Sequence, residues 1–179
     1  MSASAILSFL LLLAPGRPDL PEKCVKKQEV IETPTKFIKH GQKWECHDNG
    51  GWKRAVTYKN GKKEGTSTRW RKNGQKMKEG TWRNGKEEGK WTEWYSNGQK
   101  KQEGTYKNRK KDGNFTAWHE NGRRKEEGIY KMGNKEGKWT TWYGSGQKQC
   151  EVTYSNDYKK SQKCWNEDGT PDLKNSRVR

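Results

Sequence analysis

Histidine and cysteine are the side chains of this sequence with the most chemistry to offer, and their spacing suits crosslinking better than catalysis. His40, His47 and His119 have no carboxylate or nucleophile placed with them, as acid–base or nucleophilic catalysis would require. His119 stands where Arg71, Tyr95 and Tyr143 stand at 24-residue steps, which makes it one variant of a recurring surface position. Cys24, Cys46 and His47 would supply three metal ligands, but without a CxxC or a second ligand pair. The glycines recur at a fixed interval instead of marking a strand-to-helix junction, so they form no phosphate loop. The chain therefore reads as non-enzymatic, with no catalytic residue, metal, cofactor or small-molecule substrate expected.

The cysteines gain meaning from the N-terminus. Residues 6–14 (ILSFLLLLA) form an apolar run too short to cross a bilayer. Pro15, Gly16 and Arg17 follow it, with Ala14 and Gly16 small enough for positions three and one before a cleavage point. Residues 1–16 thus read as a secretory signal peptide, although no Lys or Arg precedes the apolar run. In an exported chain, Cys24, Cys46, Cys150 and Cys164 imply two disulfides, for which three pairings are open. Cys150 and Cys164 lie on either side of the Asn156-Asp157 turn, each about seven residues from its centre, as cross-strand partners in a hairpin do. That favours Cys150–Cys164 together with Cys24–Cys46, one staple at each end.

Lysine supplies the third feature. Lys59, Lys62 and Lys63 (KNGKK) and Lys107, Lys110 and Lys111 (KNRKK) fall in equivalent turns, so positive charge is expected to run as a stripe along one edge. The whole chain carries 39 Lys+Arg against 22 Asp+Glu, a formal charge of +17. These six lysines are the candidate contacts for a polyanion. Outside the cytoplasm the fitting partners are anionic polymers, acidic lipid headgroups or a protein partner. Alternating rings and cations also suit single-stranded nucleic acid, which an exported protein is not expected to meet.

These residues have to be positioned by something other than an ordinary aliphatic core. Leu, Ile, Val and Phe number 19, of which seven lie in the first 13 residues. The remaining 12 exclude a doubly wound α/β enzyme or a helical bundle. What takes their place is a repeat. Trp70, Trp94, Trp118 and Trp142 recur at 24-residue steps, as do Gly65, Gly89, Gly113 and Gly137. Turn glycines Gly74, Gly98, Gly122 and Gly146 keep the same step. Half a period away runs a second aromatic row, Tyr58, Trp82, Tyr106, Tyr130 and Tyr154. Beside it runs a second turn, Asn60-Gly61 and Asn84-Gly85, which becomes Asn108-Arg109 and Gly133-Asn134. One residue is missing near Asp157, after which Trp165 and Gly169 resume the pattern.

Each unit reads as two short strands and two tight turns, because Asn-Gly tolerates the positive φ of a type I′ hairpin. A glycine every few residues and the lack of an apolar 3.6-residue period disfavour helix. In KWTEWY (90–95), strand alternation places Thr92 and Trp94 on one face and Trp91, Glu93 and Tyr95 on the other. Stacked copies are expected to align Trp70, Trp94, Trp118 and Trp142 into an aromatic ladder, with the second aromatic row alongside. A single copy cannot bury such a face, but neighbours bury it for one another.

The stretches GTWRNGKEEGKWTEWYSNGQKKQEG (80–104) and GTYKNRKKDGNFTAWHENGRRKEEG (104–128) resemble the MORN repeat, in the variant found in bacterial YwqK-family antitoxins. That resemblance implies an all-β fold, an elongated single antiparallel sheet of stacked β-hairpins, and a binding or scaffolding role. It also implies bacterial origin and an antitoxin-like alternative; a cell-wall glycan-binding repeat is a further alternative, suggested by GKWTTWYGSG (137–146). The expected layout is a signal peptide at 1–16, a lead-in at 17–40, five and a half copies over 41–171, and a basic tail at 172–179. The expected location is secreted, periplasmic or at the cell envelope.

Overall fold

Two kinds of turn alternate along the chain and lay down one strand after another. The structure is a computed structural model that describes Cys24 and residues 41–178. The expected signal peptide, and the lead-in apart from Cys24, lie outside the described residues. The strands are β1 (Gly41–Cys46), β2 (Trp52–Lys59), β3 (Lys62–Trp70), β4 (Lys76–Arg83), β5 (Lys86–Trp94) and β6 (Lys100–Lys107). They continue as β7 (Lys110–Trp118), β8 (Arg124–Lys131), β9 (Asn134–Trp142), β10 (Lys148–Ser155), β11 (Tyr158–Cys164) and β12 (Arg177–Val178). All twelve form one sheet in sequence order, each antiparallel to the next. The all-β array of stacked hairpins expected from the repeat is what is observed.

The two-residue turns are set by residues that accept positive φ. Asn60 and Gly61 (φ 49° and 76°) and Asn84 and Gly85 (50° and 75°) have the type I′ pattern. Asn108 and Arg109 (52° and 74°) adopt it without glycine. The fourth turn corrects the expectation of Gly133-Asn134: it is Met132-Gly133, and Asn134 already pairs with Lys131 across the strands. In this register glycine keeps the second turn position that Gly61 and Gly85 hold. Three to six residues into the next strand lies a bulge. Between Gly104 and Tyr106, which pair with Phe115 and Lys111, one residue of β6 faces three of β7. Gly113, at φ 112°, makes that insertion possible. The residue missing near Asp157 is missing from the corresponding bulge of β11, where Thr153 pairs with Ser161 and Tyr154 with Lys159.

The bulge and the strand alternation give the sheet two unlike faces. One, the ring face, buries Trp91, Phe115 and Trp139, the last only 1% exposed. Tyr130 and Trp139 meet edge to face with centroids 4.8 Å apart, Trp82 and Trp91 at 5.4 Å, and Phe115 and Tyr130 at 5.5 Å. Each such contact contributes about 0.5–1.5 kcal/mol beyond the area it buries. The rings lie flat because glycine faces them: Phe115 pairs with Gly104 and with Gly128, and Trp91 with Gly104. The other face carries a row of Thr68, Thr92, Thr116 and Thr140, of which Thr68 and Thr92 donate to Glu79 and Glu103.

This arrangement corrects the expected ladder. Trp70, Trp94, Trp118 and Trp142 do end successive odd-numbered strands at equivalent positions, but on the threonine face, and all four are only half-buried. The second aromatic row does not run beside them. It lies on the ring face, and the ring-to-ring contacts from Trp82 to Tyr154 are all there. The tryptophans of the expected ladder contact lysines instead: the Lys76 ammonium is 5.8 Å from the Trp94 ring and that of Lys100 5.6 Å from the Trp118 ring.

Both ends of the described sheet are stapled. Cys24 is joined to Cys46 in β1, and Cys150 to Cys164, its direct cross-strand partner between β10 and β11. The stretch expected as a basic tail folds back. Asp172 accepts from the backbone N–H groups of Lys174 and Asn175, and residues 177–178 pair with Ser161 and Gln162.

Candidate functional site

The hairpin tips gather cations because the residues flanking each two-residue turn are cross-strand partners. Lys59 pairs with Lys62, Arg83 with Lys86 and Lys107 with Lys110, and Lys131 follows at the next tip. All seven are exposed, and none lies within ion-pair distance of a carboxylate among the described residues. Like charges directly opposite one another destabilise a sheet. Three consecutive tips nonetheless carry such a pair. Because successive tips are two strands apart, they repeat about every 10 Å along one edge.

The tips are held in line by bonds between copies. The Gly85 N–H donates to the Lys63 carbonyl (2.8 Å) and the Gly133 N–H to that of Lys111 (2.8 Å). The Glu64 carboxylate accepts from the Asn84 N–H at 2.7 Å and the Glu88 carboxylate from that of Asn108 at 3.1 Å. Each turn is thereby anchored on the hairpin before it, so the edge is a continuous rail.

Of the six lysines singled out in the sequence, the structure brings four to this edge: Lys59, Lys62, Lys107 and Lys110. Lys63 and Lys111 are corrected. Strand alternation turns them to the ring face, where the Lys63 ammonium sits 4.1 Å from the Trp82 ring and that of Lys111 4.1 Å from Phe115. Burial lowers the pKa of both, and for Lys63 the nearby Arg54 and Arg69 lower it further. Arg83, Lys86 and Lys131 were missed. Their signal was the 24-residue step from Lys59, Lys62 and Lys107.

The opposite edge of the sheet, at the longer turns, is locked by a side chain that changes identity while keeping its bond. Arg71 donates to the Trp94 carbonyl (2.9 Å), Tyr95 to that of Trp118 (2.7 Å) and Tyr143 to that of Trp165 (3.0 Å). His47 and His119 bond the carbonyls of Trp70 and Trp142 through Nε2, which must carry the proton there. The two described histidines are therefore structural ties between copies. Cys24 and Cys46 are consumed in their disulfide, which removes the metal reading of Cys24, Cys46 and His47. Among the described residues no group of three or more His, Cys, Asp or Glu is arranged to hold a metal.

Comparison with known proteins places a name on this unit. Residues 87–108, 111–132 and 135–156 match the MORN repeat variant, and each match runs from the second residue of an odd-numbered strand into the next two-residue turn. No curated protein matches the chain. The chain thus carries three consecutive MORN repeat variants.

Proposed function

We propose that this protein is an exported, non-enzymatic scaffold whose tip edge docks on an anionic surface, either a polymer or acidic lipid headgroups. The observation that carries the reading is the set of like-charged pairs Lys59/Lys62, Arg83/Lys86 and Lys107/Lys110 at consecutive tips. Such pairs cost stability and receive no carboxylate from the fold, so an external anion is the partner that offsets the repulsion. Two disulfides fit an oxidising compartment outside the cytoplasm. The regular 24-residue unit fits a repeat-based binding protein.

The test is binding to vesicles containing acidic lipid, measured across a salt series. Affinity is expected to fall steeply from low to physiological salt. Lys107→Glu with Lys110→Glu is expected to weaken it at least tenfold with the far-UV spectrum unchanged. Salt-independent capture of one protein, lost on changing Tyr95 or Tyr143, would replace this reading with the antitoxin-like interaction that the sequence resemblance suggests.

A further inference from the structure

The ring face has a gap in its second copy. The position filled by Trp91, Phe115 and Trp139 in later copies is Ser67 in β3, buried at 6% exposure. Beside it opens a cavity of about 140 Å³, lined in part by Trp82 and Trp91. Its walls are strongly cationic, carrying Arg54, Lys63, Arg69 and Lys78 against the single carboxylate of Glu87. Later copies place Glu93, Gln102, Ala117, Glu126 and Thr141 at the steps equivalent to Arg69 and Lys78, so this run of cations is not repeated beyond Lys78, whereas Lys63 is repeated by Lys111 and Lys135.

The register makes the concentration of charge plain. Glu45, Arg54, Arg69, Lys78 and Glu93 stand directly opposite one another across β1 to β5: three cations in a row, closed by an acid at each end. The outer cations reach those acids, Arg54 to Glu45 at 3.7 Å and Lys78 to Glu93 at 3.1 Å. Lys78 also approaches Glu87 at 3.8 Å. The side chain of the middle cation, Arg69, makes no ion pair or hydrogen bond among the described residues. Three N–H groups on residues lining the cavity, Arg54 Nε, Trp82 Nε1 and Trp91 Nε1, are buried without an acceptor. Buried donors are normally satisfied.

We infer that this cavity is a binding site for one compact oxyanion of the phosphate class, taken either free or as the terminal phosphoryl group of a larger molecule. A tetrahedral dianion brings both the negative charge that Lys63 and Arg69 lack and several acceptor oxygens for the donors around the cavity, Arg54 Nε among them. The volume holds one such group and excludes a folded partner. Lys63, assigned from the sequence to the tip edge, is part of this site instead. The site lies on the ring face, and the tip-edge function does not depend on it.

The experiment is a titration of the full chain with inorganic phosphate at constant ionic strength, followed by calorimetry and thermal melting, with chloride and acetate as matched controls. Saturable binding of one phosphate per chain is expected, with acetate at least tenfold weaker. Glycerol phosphate binding as well as phosphate assigns the site to a terminal phosphoryl group, and its exclusion assigns it to the free ion. Ser67→Phe, which restores the ring that Phe115 supplies two copies later, is expected to abolish binding. Arg69→Gln, an exposed change that disturbs no bond, is expected to weaken it at least tenfold, whereas Lys107→Gln at the tip edge leaves it unchanged. No effect of phosphate beyond chloride, or equal binding by wild type and Arg69→Gln, overturns the inference.

Discussion

Replacing Gly128 with alanine isolates the packing of the ring face in a single methyl group. A Cβ built on Gly128 falls 2.3 Å from Trp139 Cδ2 and 2.4 Å from Cε2, about 1 Å short of the 3.4 Å at which ordinary contact begins. Trp139 has little room to retreat. Its ring is 1% exposed, is flanked by Tyr130, Phe115 and Tyr154, and donates from Nε1 to the Ile129 carbonyl at 3.2 Å. The backbone at Gly128 is extended, so no left-handed strain adds to the clash. Overpacking of this kind costs about 3 kcal/mol, which for a chain of this size is a drop of roughly 6–12 °C in Tm. Gly104→Ala is the control. Its Cβ meets Phe115 at 3.2 Å, and the entropy gained over glycine offsets that strain, leaving a change below about 1 kcal/mol. Trp139→Ala should itself cost about 3–5 kcal/mol, and adding Gly128→Ala to it should cost nothing further. Denaturant unfolding followed by tryptophan fluorescence and far-UV CD reads all four. Equal stabilities for Gly128→Ala and Gly104→Ala, or strictly additive costs in the double variant, would refute the argument.

Trp118→Ala, on the half-buried row, should cost clearly less than Trp139→Ala in the same assay, because far less of its ring leaves a packed environment. Tyr95→Phe removes the bond to the Trp118 carbonyl and should cost about 0.5–1.5 kcal/mol in denaturant unfolding. Mass spectrometry without reduction should find the protein four protons light, and losing Cys150–Cys164 should cost about 2–4 kcal/mol in thermal unfolding. Burial, helped by the charge of Glu126, pushes the Tyr130 phenol up to about 12. Because the folded value is raised, stability is unaffected below the ordinary tyrosine value near 10 and declines as pH rises from there through 12. Tyr130→Phe should lose the latest-titrating phenol in an ultraviolet absorbance titration.

The turns were legible from sequence because their chemistry is local. Asn-Gly at 60–61 and 84–85 fixes positive φ whatever surrounds it, and the hairpin it makes sets the strand pairing. The disulfide between Cys150 and Cys164 followed from the same turn arithmetic. The buried row was not legible in this way. Trp70, Trp94, Trp118 and Trp142 drew attention because the residue is identical each time, whereas the packed row runs Ser67, Trp91, Phe115, Trp139. Burial depends on what lies across the strand, and Gly80, Gly104 and Gly128, by lacking side chains, are what let those rings lie flat. Lys63 and Lys111 were placed on the wrong surface for a related reason. Sequence proximity to the turn grouped them with Lys62 and Lys110, while alternation sends adjacent strand residues to opposite faces.

Whether successive hairpin copies line up one cationic edge is decided by removing one copy and measuring the salt dependence of binding to acidic vesicles. Deleting residues 104–127 joins Glu103 to Gly128, keeps every equivalent pairing, and takes Lys107, Arg109 and Lys110 from a tip edge of eight cations, the seven flanking ones and Arg109 in its turn. The shortened array should bind with a slope of log affinity against log salt reduced by about three-eighths. An unchanged slope would contradict the account.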